Sequence, residues 1–175
     1  MNNLVSSING IDKVLRVALA IMMALLVIDV TWQVLTRFIL PQPSSFTEEV
    51  ARFLLIWISL IGGAYAYKLH SHLGFDLFVR NLSMPNAVFM FRLCCVLVAI
   101  FAIWVLIIGG GNLVFLTWLL GQHSPVLNVP MAGVYLAIPL SGCLFLLYST
   151  FFFLNAKNVV TASKEDALEL ENDHD

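Results

Sequence analysis

Apolar residues fall along this chain in four long runs, separated by charged or proline-bearing stretches. A bilayer core about 30 Å thick needs roughly 20 apolar residues of helix to cross it. The runs at 11–39, 46–68, 86–120 and 129–155 meet that requirement, and the pattern predicts an all-α integral membrane protein with four transmembrane helices. Pro41 and Pro43 end the first run, because a residue preceding proline is disfavoured in helical geometry. The second run has fifteen uncharged residues between Arg52 and Lys68 and must borrow turns from its ends. Ser45-Phe-Thr-Glu48 reads as a capping box, with the Ser45 hydroxyl accepting from the N3 amide and Glu48 reaching back to the Ser45 amide. A helix from Ser45 through Lys68 then reaches about 34 Å at about 1.5 Å per residue. The third run is longer than one crossing requires, so it should tilt, or break near Gly109-Gly110-Gly111-Asn112. Pro130 opens the fourth run, where a first turn tolerates it, and Pro139 should kink that helix.

Basic residues set the direction. Lys13, Arg16, Lys68, Arg80, Arg92, Lys157 and Lys164 make seven on one side of the four spans, against Arg37 and Arg52 on the other. The positive-inside rule therefore places both termini in the cytoplasm. Lys13 and Arg16 precede the apolar stretch 17–28 as in a secretion signal, but no small-x-small cleavage site follows, and the run reads as an uncleaved first span. Between the second and third spans, Leu73, Leu77, Phe78 and Leu82 recur at helical spacing while Asp76, Arg80 and Asn81 point elsewhere. That stretch is too short and polar to cross, and predicts an interfacial amphipathic helix over 72–83, ended near Ser83-Met84-Pro85.

Composition agrees: 60% of residues are hydrophobic and 11% charged, against roughly 25% charged in an average globular chain. Six of the eleven acids (Glu165, Asp166, Glu169, Glu171, Asp173, Asp175) lie in the last eleven residues, and 156–175 reads as an acidic, disordered tail on a 1–155 membrane domain. No basic stripe suggests nucleic acid. Cys94, Cys95 and Cys143 lie in apolar runs without disulfide or zinc spacing, and read as small apolar fillers.

The polar residues inside the spans are few. Asp29, Gln33 and Arg37 are four apart and share one face of the first helix. A carboxylate there costs a few kcal/mol on insertion scales. Asp29 reads as part of a polar face turned to neighbouring helices or a partner subunit, as a proton- or cation-coupling site, or as a carboxylate nearer the interface than its place in the run suggests. Glu48 and Arg52 form an (i, i+4) pair in the favourable order, and Glu48 and Glu49 suit a helix N-terminus. With Arg37 they make a periplasmic charged cluster that either anchors the second span or contacts a partner. Ser59, Gly62, Gly63 and Ala66 on the second span, and Gly133, Ala137 and Ser141 on the fourth, form small-residue seams that allow close helix packing. His70, His72 and Asp76 could suggest a metal site, but a surface or headgroup position explains them more simply. No histidine lies mid-membrane, which argues against a bis-histidine haem, and no catalytic or nucleotide motif stands in a credible context. The sequence predicts no enzyme, catalytic residue, cofactor or metal.

Four spans with both ends inside, Gln33-Val-Leu-Thr-Arg37 closing the first, Thr47-Glu-Glu-Val-Ala-Arg52 opening the second, then Gly62-Gly-Ala64 and His72-Leu-Gly-Phe-Asp76, resemble the small membrane (Q) subunit of tripartite ATP-independent periplasmic (TRAP) transporters. The resemblance implies a large multi-span subunit that carries the substrate and sodium sites and moves as an elevator. It also implies a periplasmic binding protein that delivers an organic acid, with the sialic-acid members closest in overall look. The small subunit would be a fixed, non-catalytic scaffold in the bacterial inner membrane. On this pattern Arg37, Glu48, Glu49 and Arg52 belong to a periplasmic cluster near the subunit junction. His72 and Asp76, with Leu73, Leu77, Phe78 and Arg80, belong to the interfacial helix, in contact with membrane lipid. The alternative is a small self-associating, proton-coupled exporter that uses Asp29.

Overall fold

A computed structural model of the protein describes residues 2–39, 45–70 and 83–162. Helix α1 spans Asn2–Ile39 and α2 Ser45–His70. Helix α3 (Met84–Phe101) runs on through a π-helical segment (Ala102–Gly109) into α4 (Gly110–Leu119). Helices α5 (Met131–Tyr135) and α6 (Ala137–Leu154) follow, interrupted at Leu136. Together these give four helices long and apolar enough to cross a membrane: Gly10–Ile39, Ser45–Leu69, Met84–Leu119 and Met131–Leu154. The fold is all-α. Of the interfacial helix expected over 72–83, residues 72–82 lie outside the described residues, and Ser83 is extended, just ahead of α3.

The third span does not break at its glycine triplet. Gly109 and Gly110 hold ordinary helical geometry (φ −64°, ψ −48° and φ −64°, ψ −41°). A break inside the hydrocarbon slab would leave backbone groups unpaired, and a continuous helix avoids that. The irregularity lies one turn earlier, as the wide π turn over Ala102–Gly109, and it faces the fourth span. A Cβ placed on Gly142 would stand 2.7 Å from Leu106 Cβ and 2.9 Å from Ile107 Cγ1. One placed on Gly110 would stand 2.6 Å from Ile138 Cγ2. These two glycines set the closest approach of the third and fourth spans.

Pro139 acts as its chemistry dictates. It has no N–H for the Tyr135 carbonyl, and its ring crowds that carbonyl. Helix α5 accordingly ends at Tyr135, and the Leu140 amide reaches Leu136 at a stretched 3.3 Å.

The core joins the third and fourth spans. Phe91 and Cys95 pack with Tyr148 and Phe152, and Phe152 meets Phe91 and Tyr67 edge to face at 6.3 and 5.7 Å. The Ser149 hydroxyl donates to the Cys95 carbonyl, which satisfies a polar group in the apolar interior. Ala156 and Val160 extend this stripe at four-residue spacing from Phe152 and are buried, within a further helical stretch over 156–162. The tail expected from 156 therefore does not begin there; residues 163–175 lie outside the described ones. Helix α1 packs chiefly on α2, where Gly62 faces Leu19. In the most apolar window of α1 no residue is buried within the chain.

Candidate functional site

Polar chemistry collects at the two ends of the bundle. At the end where the second span starts, α4 closes in a Schellman turn: Gly121, at φ +59°, donates to the Trp118 carbonyl, and Gln122 to that of Thr117. The loop that follows folds on itself. Ser124 donates to the Val129 carbonyl, Asn128 to that of Ser124, and Met131 to that of Gln122.

Glu49 ties this loop to the second span. Only 6% exposed, its carboxylate accepts from the Leu127 amide at 2.7 Å. A backbone N–H bonded to a carboxylate is stronger than a neutral bond and fixes the loop position. Thr47 and Ala51, four apart on another face of the helix, are buried as well. Glu48 turns the other way and pairs with Arg52 at 3.2 Å, with both side chains about two-thirds exposed (64% and 65%). Arg37 is exposed and makes no ion pair with these residues among those described. The four-residue cluster expected from the sequence is thus divided: Glu49 holds the fold, while Arg37, Glu48 and Arg52 face outward. The exposed Val126 and Val129 stand on the same loop.

At the opposite end the structure builds a site that the sequence reading missed. Lys68, at the end of α2, pairs with Asp12, near the start of the first span, and the Tyr148 hydroxyl donates to the other Asp12 oxygen at 2.7 Å. Asp12 is 9% exposed and Tyr148 fully buried. One carboxylate therefore ties the first, second and fourth spans together. The signal lay in an acid opening one span and a lysine closing the next, on the same side of the membrane.

Asp29 lies partly buried on the first span, and its Oδ2 is buried with no hydrogen-bond partner among the described residues. Among the described residues, this oxygen lacks the intrachain partner that a polar face turned to neighbouring helices would give it. Gln33 is half-buried beside Thr36, whose hydroxyl donates back to the Gln33 carbonyl. Of the expected packing residues, Gly63 faces Phe145, Ala66 is half-buried, and Ala137 and Ser141 are buried. Ser59 and Gly133 are exposed. His72, Leu73, Asp76, Leu77, Phe78 and Arg80 lie outside the described residues, and no cluster of potential metal ligands occurs among those described.

Three relatives show where this architecture occurs. The chain is 40% identical over 75 residues to a sialic acid TRAP transporter small permease protein of Vibrio cholerae, covering 43% of this chain and 42% of the relative. It is 30% identical over 99 residues to a C4-dicarboxylate TRAP transporter small permease protein of Rhodobacter capsulatus, covering 57% and 43%. A third match, 26% identical over 157 residues, is to a protein of Haemophilus influenzae named "Putative TRAP transporter small permease protein", and covers 82% and 91%. The first two matches thus span less than half the length of those relatives. A family model for the DctQ component of tripartite ATP-independent periplasmic transporters matches residues 23–156, from within the first span to the end of the fourth. Four membrane-crossing helices and this match across most of the chain make the protein a member of the DctQ family, the small permease component of TRAP transporters.

Proposed function

We propose that the chain is the fixed, non-catalytic small subunit of a TRAP transporter in the bacterial inner membrane, with both termini in the cytoplasm. It packs against a large elevator subunit and supports sodium-coupled uptake of an organic acid delivered by a periplasmic binding protein. The observation that carries this reading is the first span: its apolar face is uncovered by its own chain, while Asp12 and Lys68 at one bundle end and Glu49 at the other fasten helices and loop. Such a body offers a broad apolar surface to a membrane partner and a braced frame behind it. The loop held by Glu49, with the outward Glu48–Arg52 pair beside it, supplies a periplasmic docking surface. Sialic acid is the first substrate to test, since the 40% match is to a sialic acid transporter component.

The test is reconstitution. The chain should co-purify with a large multi-span subunit, and proteoliposomes holding both should take up sialic acid only with a sodium gradient and the binding protein. A chain that purifies alone and transports by itself would refute the reading. Proton-coupled export through Asp29 is the second reading, favoured by the unpartnered Asp29 Oδ2. Asp29→Asn separates the two: a coupling carboxylate loses transport entirely when neutralised, whereas a packing residue retains most of it.

A further inference from the structure

A groove opens between the start of the third span and the chain leaving the fourth. It encloses about 390 Å³ and is lined by Met84, Pro85, Val88, Lys157 and Thr161. Both walls are helical, with side chains in step: Val88 and Arg92 are four apart on one, Phe153, Lys157 and Thr161 four apart on the other. The Arg92 guanidinium lies over the Phe153 ring, 5.4 Å from its centroid, one turn further into the bilayer than Val88 and Lys157. Its Nε is buried yet has no hydrogen-bond acceptor among the described residues. Stacking uses one face of the guanidinium and leaves the terminal Nη groups, rather than the buried Nε, free to meet a phosphate oxygen.

We propose that this groove binds an anionic phospholipid, with Arg92 and Lys157 holding its phosphate diester and Met84, Pro85 and Val88 packing its glycerol and first acyl carbons. Three features fit this ligand together. The groove stands where two spans meet the membrane surface, at headgroup depth. Its lining is mainly apolar, as a lipid requires and a free anion does not. One cation, Lys157, lines it, and Arg92, one turn deeper on the α3 wall, has no hydrogen-bond acceptor for its Nε among the described residues. Basic pockets between transmembrane helices recognise anionic headgroups in this way. The inference needs only the four-span fold and stands apart from the transport reading.

The complete chain, purified with whatever subunits accompany it, is exchanged into nanodiscs of mixed phosphatidylglycerol and phosphatidylcholine, released, and examined for retained lipid by native mass spectrometry. Phosphatidylglycerol should be retained in preference. Removing one charge weakens a basic contact at a membrane surface about fivefold, so Arg92→Gln and Lys157→Gln should each lower retention by about that factor. Lys157 is exposed, so its variant keeps the test open if loss of the Arg92–Phe153 stack prevents folding. Lys13→Gln, at the same end but outside the groove, should leave retention unchanged. Equal retention of the two lipids, no loss in Lys157→Gln, or an equal loss in Lys13→Gln would overturn the proposal. Displacement of the lipid by excess inorganic phosphate alone would also overturn it, by showing a site for a free anion.

Discussion

Replacing Gly142 with alanine tests whether the close approach of the third and fourth spans is what holds the bundle. The new methyl would meet Leu106 Cβ at 2.7 Å, Ile107 Cγ1 at 2.9 Å and the Ile107 backbone nitrogen at 3.2 Å. A flexible side-chain tip could swing aside, but a Cβ and a main-chain nitrogen move only with their helix. Relief therefore requires the π segment and α6 to separate. Overpacking of this kind costs about 1–3 kcal/mol, and the better helix propensity of alanine returns about 0.5–1 kcal/mol. A net loss on the order of 1 kcal/mol should remain, several-fold in the folding equilibrium. Gly111→Ala is the matched control: it lies in the same region of the third span, and nothing stands within 4 Å of its added Cβ. That variant should be neutral or slightly stabilised. The assay is the tryptophan-fluorescence melting midpoint of each purified protein in one mild detergent. A Gly142→Ala midpoint at or above that of the wild type, with Gly111→Ala no higher, would refute the packing argument.

Tyr148→Phe removes a hydrogen bond to a charged acceptor and should lower stability by about 1.5–3 kcal/mol; a midpoint equal to wild type would show that Asp12 draws nothing from Tyr148. Glu49→Ala should speed hydrogen exchange at the Leu127 amide, while Glu49→Gln, which keeps an acceptor oxygen, should do so less. Unchanged exchange in Glu49→Ala would show that the loop holds itself. Arg52→Ala breaks an exposed pair and should change stability by less than about 1 kcal/mol, and a larger loss in the same melting assay would mean that the pair is covered in the assembled protein.

Hydropathy made the four spans legible, because a span must be apolar along its whole length and no other segment type is. The proline effect could be read too, since a missing N–H acts on its own helix wherever the rest of the chain lies. Contacts between distant residues were not visible in the same way. Lys68 reads in the sequence as a topology marker; only the fold brings Asp12, fifty-six residues away, to its side. Glu49 and Glu48 are indistinguishable as neighbours in a first turn, yet one faces the 121–130 loop and the other water. The small residues show the same limit. Gly133 continues the seam but stands in open space, whereas Gly142, one residue off that stripe, lies where an added Cβ would come within 2.7 Å of the third span. Composition says that a helix can pack closely, and only its rotation about its own axis says where.

The Tyr148–Asp12 bond also bears on how the protein is made. Its partners are 136 residues apart, one opening the first span and the other in the last. During synthesis the first two spans can enter the membrane and join through Lys68 while the fourth is still in the ribosome. Until Tyr148 arrives, Asp12 has only part of the company that keeps it comfortable near the bilayer. A chain that stops short of Tyr148 would therefore keep the Lys68 pair and leave one Asp12 oxygen without its hydroxyl donor.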